Sequence, residues 1–85
     1  MALVTPAWFK QRQGKVEQAA ENLVKITGPN LREAFLGIRQ ENGRWQSFVR
    51  HQVDGPDLAS STRGTDVPYD AWEVAFELYR NLDVI

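Results

Sequence analysis

Apolar and polar positions alternate along this chain with two periods, near 3.6 residues at its ends and near 2 in its middle. On a helical wheel Trp8, Phe9, Val16, Ala19, Ala20, Leu23, Val24 and Ile26 fall within one arc, with Lys15, Glu17, Gln18, Glu21, Asn22 and Lys25 opposite. Thr5-Pro6 supplies an N-cap and a first-turn proline, so an N-terminal amphipathic helix is predicted from there to Ile26. Arg12 and Gln13 intrude on its apolar arc, and Gly14 costs about 1 kcal/mol relative to Ala, so a kink or break is expected between Lys10 and Lys15. A competing reading makes Leu23–Thr27 a strand that turns through Gly28-Pro29-Asn30.

Residues 31–53 read as an antiparallel hairpin about Asn42-Gly43, because both residues tolerate the positive φ of a two-residue type I′ turn. That turn sets Glu41 opposite Arg44, Gln40 opposite Trp45, Ile38 opposite Ser47, Gly37 opposite Phe48 and Leu36 opposite Val49. Leu36, Ile38, Trp45, Val49 and Val53 then share a core face, with Phe35, Arg39, Glu41, Arg44, Gln46, Phe48 and Arg50 on the other. A rival reading uses Asn30 and Glu33 as a capping box and the helical spacing of Leu31, Ala34, Phe35 and Ile38. Asp54-Gly55-Pro56-Asp57 reads as a turn, and residues 58–62 as a short third strand ahead of a polar loop at 63–66. Pro68 opens a final helix to about Asn81, with Asp70 and Glu73 near its positive end. The expected fold is α+β: an N-terminal helix, a central antiparallel hairpin or three-stranded meander, and a C-terminal helix packed on the sheet.

The 85 residues form one expected domain, without repeats or a linker, and hydrophobic types make up 42% of them. A chain this short buries about 60–65% of its unfolded surface, so three Trp, four Phe and two Tyr have to supply most of its core. Cysteine is missing from the sequence, which removes disulfide, thiolate and zinc-thiolate chemistry and fits a cytoplasmic setting. No apolar run approaches the roughly 20 residues of a membrane span, and Pro6, Lys10 and Arg12 interrupt any signal-like start. The net charge of -1 conceals two halves of opposite sign. Residues 1–53 carry eight Lys/Arg against four Asp/Glu, and residues 54–85 carry two against seven. Such a split suits either neighbouring elements that neutralise each other or a basic surface meeting an acidic partner.

Two surfaces attract attention. The polar residues of the final helix occupy only about 100° of its wheel, leaving a broad apolar remainder. The first helix and Val84-Ile85 are one cover for its two flanks, and a partner is the other. The principal expectation is therefore a non-enzymatic protein-interaction or self-association module that uses Trp72, Phe76, Leu78 and Tyr79. The second surface interleaves Arg39, Arg44 and Arg50 with Phe35 and Phe48, the mixture of guanidinium and ring that nucleic acids and other polyanions meet, and the polyanion reading rests on Arg39, Arg44, Phe48 and Arg50. A pI near 5.7 and Glu41 opposite Arg44 weigh against it. His51 is the single histidine; Asp54 and Asp57 near it are turn residues, and Ser60-Ser61-Thr62 has no neighbouring base, so no catalytic group, metal or cofactor is expected.

Overall fold

Among the described residues, 5–61 and 64–83 of a computed structural model, the elements run α1 (Ala7–Gln11), β1 (Lys15–Ala20), β2 (Leu23–Thr27), β3 (Ala34–Glu41), β4 (Arg44–Arg50), β5 (Asp57–Ser60) and α2 (Pro68–Asp83). The strands form one antiparallel meander in the order β1-β2-β3-β4-β5. With α2 packed on one face of that sheet, the arrangement is α+β.

The central hairpin follows from local chemistry. Asn42 and Gly43 adopt φ of 55° and 78°, the positive pair that a type I′ turn needs. Glu41 then pairs with Arg44, Gln40 with Trp45, Ile38 with Ser47, Gly37 with Phe48 and Leu36 with Val49, the register expected from the turn. The rival helix over residues 31–38 does not form. Ala34 already lies in β3, and Glu33 reaches Lys25 on β2 at 3.4 Å instead of capping a helix.

The N-terminal helix is the main correction. Only Ala7–Gln11 is helical, and its N-cap is Pro6, not Thr5, with no side-chain capping bond. The Pro6 carbonyl accepts the first N–H groups, from Phe9 and Lys10. Gln13 then turns at φ 59°, and Gly14 lies so near the Phe9 ring that a Cβ there would stand 2.4 Å from Cζ. Residues 15–27 fold back as a β1–β2 hairpin, with Asn22 at φ 59° in its turn and Val16 opposite Ile26. Val24 and Ile26 are buried while Lys25 between them is only partly so, a period of 2 within a stretch that also satisfies 3.6. Two strands thus add to the expected meander, and the strand reading of Leu23–Thr27 is the one realised.

The helix-side face of the sheet gathers Val24, Ile26, Leu36, Ile38 and Val49, with Trp45 partly buried at its margin. Ser47, wholly buried, donates its hydroxyl to the Ala71 carbonyl and so ties β4 to α2 without leaving a polar group unpaired. Val53, expected on this face, is 42% exposed instead. The chain leaves the sheet after Arg50 and turns, with Gly55 N–H donating to the Gln52 carbonyl, so alternation does not extend to residue 53. The third strand starts one residue earlier than expected, at Asp57, and ends at Ser60; positions 62 and 63 lie outside the described residues. Beyond it, Thr65 pairs with Trp45 through two backbone hydrogen bonds of 2.8 Å. Pro68 opens α2 as expected, and the helix runs two residues past Asn81.

Candidate functional site

The broad apolar arc of α2 is met by the chain itself. Ala71, Trp72, Ala75, Phe76 and Tyr79 are all buried, and Leu78 is partly buried against them. One cover is the sheet and the other is α1, whose Phe9 ring meets Phe76 edge-on at 5.2 Å while Trp8 stacks on Tyr79 at 6.3 Å. A helix of five residues therefore does what a full N-terminal helix was expected to do. Of the four residues expected to meet a partner, Trp72, Phe76 and Tyr79 build the core and Leu78 only partly reaches the surface. Val84 and Ile85, the other expected cover, lie outside the described residues.

The arginine face is assembled as the hairpin register requires, and it is already occupied. The guanidinium carbons of Arg39 and Arg50 stand 5.0 and 4.4 Å from the centroid of the Phe48 ring. Asp57 on β5 accepts from Arg50 Nε at 2.7 Å and lies 3.2 Å from an Arg39 terminal nitrogen. Partial burial raises the carboxyl pKa of Asp57, but the hydrogen bonds and charges of the two arginines outweigh it and hold the group below its ordinary value. Arg44 is turned elsewhere, to the Gly64 carbonyl at 2.8 Å and Asp66 at 3.5 Å. Basic first half and acidic second half thus neutralise each other across neighbouring strands and loops.

The same cluster positions a third region that the sequence pattern did not single out. Arg50, held by Asp57, also donates to the Val53 carbonyl at 3.1 Å, which anchors the 51–56 loop. Across β4 and β5, Val49 pairs with Ala59 and Arg50 with Asp57, so Leu58 is the extra residue of a β-bulge. Bulges re-aim side chains, and Leu58 is left 53% exposed. It lies at the rim of a cleft of about 230 Å³ at the C-terminal end of α2, whose inner wall includes Ala34, Val49, Tyr79 and Leu82. At the mouth are Arg32, Glu33 and His51, all exposed. Tyr79 gives this wall a polar tie, since its hydroxyl donates to the Arg32 carbonyl and fixes the backbone there.

A second cleft of about 340 Å³ lies between Thr5-Pro6 and α2, with Glu73 and Glu77 in its lining. Both glutamates are exposed. Among the described residues no three His, Asp or Glu side chains are grouped to hold a metal ion, and no helix is long and apolar enough to cross a membrane. The chain matches no family model, no curated protein and no solved structure.

No sequence motif marks Leu58 or Arg32 as a site residue. Leu58 had a faint signal, as a lone large apolar residue beside the turn at Asp57, but the bulge that turns it outward depends on how β5 meets β4. The cleft draws on residues 32–34, 49, 51, 58, 79 and 82, which no local motif links.

Proposed function

We propose that this chain is a small non-enzymatic protein-interaction module, and that its docking site is the cleft beside Leu58 rather than the flank of α2. The observation that carries this reading is the exposure of Leu58, more than half open at the rim of an apolar-walled cleft. A large aliphatic side chain held out by a bulge and pinned through Arg50 and Asp57 is pre-ordered for contact, which lowers the entropic cost of binding. The cleft's 230 Å³ is smaller than the roughly 300–1,000 Å³ of sites that enclose drug-sized ligands. It suits one inserted side chain of a protein segment better than a cofactor. The cysteine-free composition supports a cytoplasmic setting for this role.

Selection of displayed random peptides on the wild-type protein and on Leu58→Asp tests the reading. We expect peptides enriched on the wild type to lose about tenfold or more in affinity for the variant, the worth of one buried aliphatic contact of roughly 1.5–3 kcal/mol. No enrichment, or equal enrichment on both proteins, overturns it. Sedimentation at rising concentration covers the self-association form of the same idea, in which a second copy fills the cleft and Leu58→Asp abolishes the dimer.

A further inference from the structure

Arg32 differs from the arginines of the neighbouring sheet. Arg39 and Arg50 are bound to Asp57, and Arg44 to Asp66 and the Gly64 carbonyl. Among the described residues the Arg32 guanidinium has neither an acidic partner nor a hydrogen bond, although its backbone carbonyl accepts from Tyr79. The nearest competing charge at the mouth, Glu33, is paired with Lys25 at 3.4 Å. Among the described residues the cleft lining therefore keeps one guanidinium without an acidic partner, on a backbone that Tyr79 fixes, and it includes the imidazole of His51 as well. One cleft lining thus combines the apolar Leu58, Val49 and Leu82 with Arg32.

From this juxtaposition we infer that the segment docked in the cleft is acidic, with an aliphatic side chain seated against Leu58 and Leu82 and an adjacent carboxylate paired with Arg32. The inference rests on the docking reading above and adds the chemistry of its partner. A guanidinium takes a carboxylate through two parallel N–H bonds, so charge and geometry act together, and a neutral amide of the same shape recovers neither fully. His51 adds a donor to the same anion.

The test uses two pools of end-blocked random octapeptides that differ only in a central Leu-Asp or Leu-Asn pair, titrated into the ¹⁵N-labelled chain. Backbone amides of Leu58 and Val49 and the Arg32 Nε–H are read separately. We expect both pools to perturb Leu58 and Val49, only the Leu-Asp pool to perturb Arg32 Nε–H, and the Leu-Asp pool to bind about tenfold tighter. Arg32→Gln is expected to bring both pools to the weaker affinity and to remove the salt dependence, and Arg32→Lys to restore part of the difference; an undisturbed amide spectrum for either variant establishes that it folds. Equal affinity for the two pools, with Leu58 still perturbed, overturns the acidic chemistry and leaves the docking reading standing. Failure of both pools to move Leu58 overturns the docking reading itself. Binding seen only after removal of residues 84 and 85 assigns the cleft to that segment, and shifts at Leu58 that track protein concentration without peptide assign it to a second copy. Either result overturns the inference.

Discussion

The ring of Phe48 lies over the backbone of Gly37, its cross-strand partner, so closely that a Cβ built on the glycine would stand 2.3 Å from Phe48 Cζ. Both lie on the sheet face away from α2, yet Phe48 is only 6% exposed and Leu23, on the other side of Gly37, only 7%. The missing side chain lets an aromatic ring lie down across the strand, and Arg39 and Arg50 then cover the ring.

Gly37→Ala is expected to destabilise the fold by about 1–3 kcal/mol, because the added methyl meets a ring already held by two guanidinium groups. Urea unfolding measures the loss. Combining it with Phe48→Leu should cost less than the sum of the two single changes, since the smaller side chain vacates the disputed space. Strict additivity would show that ring and glycine are not in contact.

Acid sensitivity follows from Asp57. Its folded-state pKa lies below the ordinary 3.8, so its contribution is complete above that value and is lost as the pH falls through the lower folded-state pKa. Between the two values the unfolded chain binds more protons, and stability rises with pH. Asp57→Asn is expected to cost about 1–2 kcal/mol at neutral pH, the lower part of the range for charge-assisted bonds because Arg50 and Asp57 are about a quarter exposed. It should also flatten the acid limb of a stability profile measured by urea unfolding from pH 6 down to about pH 3. An unchanged slope in the variant would assign the acid response to other carboxylates.

The same carboxylate bears on polyanion binding. With Asp57 and Glu41 beside Arg39, Asp57 beside Arg50, and Asp66 beside Arg44, a labelled single-stranded oligonucleotide should bind weakly to the wild type even at low salt. Asp57→Asn frees two guanidinium groups and should tighten that binding, with a steeper salt dependence. Tight binding by the wild type that Asp57→Asn leaves unchanged would show that the arginines act independently of their carboxylate.

How much was legible in advance varied with the range of the interactions. The β3–β4 register was readable to the residue, including Gly37 opposite Phe48, because a two-residue turn at Asn42-Gly43 fixes every pair after it. The N-terminal stretch misled because Val16, Leu23, Val24 and Ile26 fit a helical arc as well as two short alternating strands. The decision there fell to backbone turns at Gln13 and Asn22 and to the contact of Gly14 with Phe9, none of which periodicity reports. Val53 was misplaced for a related reason, since a bulge and a turn end β4 at Arg50 before the alternation reaches it.

By itself the sequence determined the elements whose causes are local: the type I′ hairpin, the proline-led C-terminal helix with its wide apolar arc, and the opposite charge of the two halves. Tertiary structure decided what each of those surfaces meets. It spent the aromatic arc of α2 on the sheet and on Trp8 and Phe9, and it matched Arg39, Arg44 and Arg50 with Asp57 and Asp66. It also left Leu58 and Arg32 exposed beside one cleft. A turn or a helix start is specified by the dihedral preferences of a few neighbouring residues, whereas burial, charge pairing and a cleft arise only when segments far apart in the chain compete for the same space.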